Sequence, residues 1–263
     1  MESRHPLDTR LPEMLRSGRR LRGVFNGIPS PAIVEMCSYA GFDFIIIDNE
    51  HGSADFQLTE HLLRAAHASG IVAIVRCLRH DISRILDMGA GGILVPMVNS
   101  AEDAQELVNS VRYPMAGHPQ WARGCAFSTR AAGYGAFGGT DHTERSNRGI
   151  ALIAMIETPQ GVAAAAQISA VDGLDGIFIG PNDLAHSMGH QNRWHEAPVQ
   201  AAIASTLKAV APSGLCAGIL ALTAEEEERY AAFGARLFAS VTTGIITKAL
   251  AEAARQSASE LRY

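Results

Sequence analysis

Lysine is almost absent from this 263-residue chain: there are two, Lys208 and Lys248. Both fall inside helical patterns, so an amine-dependent Schiff-base mechanism has no lysine at a strand end to use. Cysteine is also sparse. Cys37, Cys77, Cys125 and Cys216 are far apart with no C-x-x-C pair, which suggests neither a zinc site nor a disulfide framework and fits reduced core thiols. No Lys/Arg run exists to neutralise phosphates, and the net charge of -5 argues further against a nucleic-acid surface. No stretch reaches the ~18 apolar residues of a membrane span, and the charged N-terminus lacks an apolar signal core. A cytoplasmic protein handling small metabolites is expected.

What is present is a core. Hydrophobic residues make up 47% of the chain, enough for one domain spanning 1–263. Short apolar, β-branched runs recur at 22–25, 42–48, 72–76, 91–98, 151–157, 175–180, 215–220 and 236–241. They are continuous rather than alternating, the pattern of strands buried on both faces. Between most of them lie helical patterns with capping residues: Ser30, Ser100 and Thr223 at starts, Gly70 at an end. Alternating strands and helices predict right-handed crossovers on a parallel sheet. The runs therefore predict an α/β fold, a (β/α)8 TIM barrel with an extra N-terminal helix around "LPEMLRSG". An open doubly wound sheet is the alternative, but "GVFNGIPSP" lacks the glycine-rich nucleotide turn expected after its first strand. Residues 113–149 show no clear periodicity and suggest an active-site cover or a disordered loop.

In such a barrel, strand ends converge on one mouth. Asp48, Glu50 and His51 end the second strand, Arg76 the third, Glu157 the fifth, and "GPND" with Asp183 follows the sixth. Glu157 and Asp183 are hard oxygen ligands suited to a divalent ion, or equally strand-end acids that cap a helix or pair with an arginine. Arg76 could fork a substrate carboxylate or form an ion pair with Glu50 or another mouth acid. His51 is suited to general-base work, or is an ordinary satisfied polar residue. Asp87 reads as a helix-end surface acid. No P-loop or G-x-S-x-G elbow occurs, and "GAGG" at 89–92 reads as a helix-to-strand turn.

Together, "LRSGRRLRGVFNGIPSP", "AGFDFIIIDNEHG", "VRC", "LDMGAGGILVPMVNSAEDAQELVNSVRYP", "RGCAFSTRAAGYG", "MIETPQGV", "GLDGIFIGPNDLAHSMG" and "GILA" resemble the HpcH/HpaI class II pyruvate aldolases over nearly the whole chain. That family includes 4-hydroxy-2-oxoheptanedioate and 2-dehydro-3-deoxyglucarate aldolases. The resemblance implies cleavage or formation of 4-hydroxy-2-keto acids to pyruvate and an aldehyde, with Mg, Mn or Co as cofactor. It implies Glu157 and Asp183 as metal ligands, Arg76 on the pyruvate carboxylate and enolate, and His51 as acid/base partnered by Asp87. Amides around Asn182 and Asp183 would hold the keto acid, Leu220 would lie near the aldehyde, and Asp48 and Glu50 would shape the metal-water network. A homo-oligomer, a hexamer or trimer of dimers, is implied, with "ITKALAEAARQSASEL" as the C-terminal helix exchanged between protomers.

Four departures from the family pattern stand out: Met155 where glutamine is usual, Asn49 where a small residue is usual, a short 76–87 segment, and a long "AGHPQWARG". They imply altered substrate choice. Decarboxylation of a 2-keto acid such as oxaloacetate, specialised carbon–carbon bond formation, and a non-catalytic barrel are the alternatives.

Overall fold

The computed structural model describes residues 5–255. Eight parallel strands close on themselves in chain order: β1 (Leu21–Asn26), β2 (Phe44–Asp48), β3 (Val72–Arg76), β4 (Gly92–Val95), β5 (Ala151–Ile156), β6 (Gly176–Ile179), β7 (Cys216–Leu220) and β8 (Ala235–Val241). The chain is a (β/α)8 barrel. Each expected run supplies one strand.

Alternation along each strand divides the core in two. Phe44 and Ile46 of β2, Val72 and Ile74 of β3, and Ile153 and Met155 of β5 fill the barrel interior, together with Phe25, Phe178 and Leu237. Ile45, Ile47, Ala73, Val75, Leu152 and Ala154 face outward into the larger core under the helices. Both faces are buried, so the sequence shows continuous apolar runs although side chains alternate.

The N-terminal helix Leu11–Arg16 forms as expected and buries Leu11 and Leu15 against the interior cluster. Gly92 makes room for it, because a Cβ there would lie 2.3 Å from a Leu11 methyl. Helix Phe56–Ser69 begins on Asp55, whose carboxylate accepts from the Leu58 amide, and ends on left-handed Gly70. Ser100 and Thr223 cap their helices through their hydroxyls. Ser30 stands at the start of helix Pro31–Tyr39, but its side chain makes no capping bond.

The region from 113 to 149 is more ordered than its pattern suggests, with a short 3-10 segment at Arg130–Gly135 and an α-helix at Thr140–Gly149. That helix is almost wholly polar, "TDHTERSNRG", so it carries little apolar periodicity to read. The C-terminal helix Thr242–Ala253 buries only Thr242. The rest of the expected exchanged segment, from 256 on, lies outside the described residues. No described helix is long and apolar enough to cross a membrane.

Candidate active site

Strand parity carries side chains to the mouth. Asp48 continues the inward series of Phe44 and Ile46, Arg76 that of Val72 and Ile74, and Glu157 that of Ile153 and Met155. They cluster at the carboxyl ends of β2, β3 and β5. Beside them a cavity of about 200 Å³ is lined by Asp48, His51, Arg76, Asn182, Asp183 and Leu220, with Phe25, Met155, Gly180, Pro181 and Val241 completing its walls.

Asp48 and Arg76 are direct cross-strand partners. The Arg76 guanidinium donates to Asp48 through Nε at 2.8 Å and Nη2 at 2.5 Å. Its Nη1 lies 3.3 Å from Glu50 Oε2, and its plane sits 4.9 Å from the centroid of the Phe25 ring. Burial works to raise the Asp48 pKa, but Arg76 and the Glu50 and His51 amides outweigh it and hold the carboxyl below its ordinary value. The fork anticipated for a substrate carboxylate is thus already closed on Asp48. Nη1 has the freer hydrogens.

Glu157 is 3% exposed. Burial, helped by nearby Asp183 and Glu50, pushes its pKa up to about 7, although the Met97 amide donates to Oε1 at 2.8 Å. That amide is aimed by a backbone departure, since Met97 has φ +59° without being glycine. Asn99 steadies the turn by donating to the Met97 carbonyl at 3.1 Å. Glu157 Oε2 points to Gly180, where a Cβ would come within 2.5 Å of it. Asp183 lies in the first turn of helix Pro181–Ser187, whose leading amides have no intrahelical acceptors.

A carboxyl raised by burial, with two more acids near it, beside a cradle open only because residue 180 is glycine, fits a divalent cation. The donors are hard oxygens, as Mg or Mn prefers. No group of three or more ionisable ligands occurs among the described residues, so water and substrate oxygens would complete the coordination.

His51 is exposed at the rim, and Glu50 is the acid near it, at 3.9 Å. Asp87 is not brought to His51 within the chain. It ends helix Ile82–Asp87, which leads away from the mouth toward β4, and accepts from Arg123 Nη2 at 3.2 Å. Asn49 is likewise off the cavity. With outward parity, its amide bonds the Thr59 hydroxyl of the next helix at 2.8 Å. Of the two side-chain departures, only Met155 borders the mouth.

Phe25 and Val241 also line the mouth; both lie at or next to a strand end, but as apolar residues nothing in the sequence sets them apart from the core. The Met97 contact comes from a backbone amide, for which side-chain identity gives no signal.

A closed parallel barrel with carboxylates, an arginine and a histidine gathered at its mouth defines the class: a barrel enzyme with its site at the carboxyl ends of the strands. The chain belongs to the HpcH/HpaI aldolase/citrate lyase family, whose model matches residues 21–252, and acts as a carbon–carbon lyase. It is 36% identical to the hydroxypyruvate/pyruvate aldolase of Deinococcus radiodurans, over 98% of this chain and 91% of the other. An HpcH/HpaI aldolase/citrate lyase family protein from Burkholderia cenocepacia superposes with a TM-score of 0.89 at 30% identity, covering 94% of this chain and 98% of that one. Citrate synthase SbnG superposes at 0.82 with 32% identity, covering 93% and 95%.

Proposed function

We propose that the chain is a metal-dependent aldolase that interconverts 4-hydroxy-2-keto acids with pyruvate and an aldehyde. The observation that carries this reading is the buried Glu157 carboxylate facing Gly180, with Asp183 and Arg76 lining the cavity at the same mouth. Glu157 and Asp183 would hold Mg, Mn or Co, which supplies Lewis acidity to the keto oxygen when bound.

The chain's own groups do the rest. Arg76 Nη1 stabilises negative charge developing on the substrate oxygen, and the Asp48 fork keeps the guanidinium from swinging away. The leading amides at Asn182 and Asp183 receive the substrate carboxylate. His51, at the rim and in reach of water, takes the proton from the 4-hydroxyl during cleavage and returns it during synthesis. Phe25, Leu220 and Val241 give the aldehyde an apolar wall and exclude water. Glu50 and Asp48 set the polar surroundings.

Turnover of a 4-hydroxy-2-keto acid, followed as pyruvate release, should stop in excess chelator and return with Mg or Mn. Undiminished release in chelator overturns the reading. Similarity to a citrate synthase favours one second reading, carbon–carbon bond formation with a keto acid as acceptor. It is distinguished by product analysis with an acyl donor present.

We further place the enzyme in the cytoplasm, consistent with four unpaired cysteines. We also propose a homo-oligomer, a hexamer or trimer of dimers; helix Thr242–Ala253, which leaves Ile245 and Leu250 exposed beside a groove of about 610 Å³, supports contact between copies.

A further inference from the structure

Met97 stands in the left-handed region with φ +59° although it carries a side chain, and that side chain belongs to a residue 49% exposed. Position 97 therefore depends little on its thioether and much on its backbone. A left-handed residue other than glycine persists only where its surroundings over-determine it, and such residues gather at functional sites.

Three hydrogen bonds fix this one. The Met97 amide donates to Glu157 Oε1 at 2.8 Å, the Val98 amide to the Met155 carbonyl at 3.0 Å, and Asn99 Nδ2 to the Met97 carbonyl at 3.1 Å. The first two reach β5 and the residue that follows it. The third comes from the turn itself.

Asn99 is held in its own right. Its Oδ1 accepts from the Thr158 hydroxyl, whose oxygen also caps helix Pro159–Ala163 by accepting from the Gly161 amide at 3.1 Å. Its backbone amide donates to Asp103 Oδ2 at 2.9 Å. The Met97 carbonyl can only accept, which puts the Asn99 NH2 toward it and the amide oxygen toward Thr158. An aspartate here would receive from Thr158 but have nothing to give to Met97.

The bonds form a latch from the loop after β4 to Thr158, the sequence neighbour of Glu157. With Oε1 taken by the Met97 amide, the carboxylate presents Oε2 toward Gly180. If the turn relaxed to right-handed or extended backbone, the amide would swing off Oε1 and the carboxylate would be free to rotate. We propose that Asn99 is a positioning residue for the metal ligand: it locks Met97 in the left-handed turn, so that the amide holds Oε1 and Oε2 stays aimed at the cation. The inference rests on the reading of Glu157 as a metal ligand.

The test uses two readouts on the full-length protein. In the metal-stripped state, hydrogen exchange of the Met97 amide, followed by nuclear magnetic resonance, should be slow in the wild type and about tenfold faster in Asn99→Ala, with the β5 amides unchanged. At one fixed pH, Mn affinity by titration calorimetry should fall about tenfold in Asn99→Ala, the scale of one hydrogen bond to a charged group. Asn99→Asp keeps the acceptor for Thr158 and loses the donor to Met97, so it should lose as much, and it serves if the alanine variant fails to fold. Adding Met97→Gly to Asn99→Ala should restore most of the affinity, because glycine takes the left-handed backbone without the penalty that the latch offsets. A merely loosened loop would bind more weakly still with glycine added, and that result overturns the proposal. So does Met97 exchange as slow in both Asn99 variants as in the wild type, or wild-type Mn affinity in both while Glu157→Gln loses it. Wild-type protein that binds no Mn overturns the metal reading instead, and exchange at the Met97 amide then decides the proposal alone.

Discussion

Asp48 and Arg76 are register partners on β2 and β3, and their side chains close a two-bond fork at the lip of the barrel, at 2.8 and 2.5 Å. Each is about nine-tenths buried, so neither charge tolerates loss of the other. Arg76→Ala should cost about 3 kcal/mol by stranding Asp48, measured by denaturant unfolding. Arg76→Lys should keep the fold but lose the planar fork, with kcat/KM down about 100-fold. A near-wild-type kcat/KM in the lysine variant would mean that Arg76 serves structure alone. Because the Asp48 pKa is lowered, its share of stability is full above the ordinary carboxylate value and is lost as pH falls from there through the lowered folded-state value.

This pair also shows what could be read from the sequence. The polar residues ending apolar runs at 48, 76 and 157 locate the mouth, because a parallel barrel strand leaves its core only at its end. Parity then decides which of them face inward, and parity needs the strand bounds. Asn49 looks as much a mouth residue as Asp48 until the register turns it toward Thr59. Asp87 depends on tertiary placement, and its acceptance from Arg123 crosses 36 positions. The helix at 140–149 shows no apolar period in the sequence because it packs few apolar side chains. The Met97 amide has no side-chain signature at all.

Glu157 makes the site sensitive to pH in a defined direction. Its pKa is raised to about 7, so the metal-free protein favours the protonated carboxyl below that value. A raised carboxyl contributes stability that is complete below its unfolded pKa and lost as pH climbs through the folded one. Metal-stripped protein should therefore lose up to about 3 kcal/mol between pH 4 and 8 from this group. Glu157→Gln should flatten that slope. Mn affinity, read by titration calorimetry, should fall about tenfold per pH unit below 7 as protons compete. A pH-independent affinity would contradict the assignment of Glu157 as a ligand.

His51 stands at the rim, with Glu50 at 3.9 Å as its nearby acid. His51→Asn should leave folding and Mn affinity near wild type, because the side chain holds nothing together. Aldol cleavage should fall about 10²- to 10⁴-fold, the usual worth of a general base, with the KM for the keto acid little changed. A near-wild-type rate would assign the proton transfer to another group.

Gly180 separates the proposed metal pocket from its wall. A Cβ at this position would lie 2.5 Å from Glu157 Oε2 and 2.8 Å from the Met155 terminal methyl. Both are side-chain ends, so the chain can yield without breaking the barrel, but the carboxylate must turn away from its present direction. Gly180 has φ -89°, which any residue adopts, so backbone strain is not the obstacle. Gly180→Ala should therefore fold with a melting temperature near wild type while Mn affinity drops about tenfold or more. A third contact, Glu157 Cβ at 3.1 Å, is looser, so combining the change with Met155→Ala removes one of the two tightest contacts and should recover part of the loss. Unchanged affinity in the single variant would show that Glu157 Oε2 is not the oxygen facing the metal.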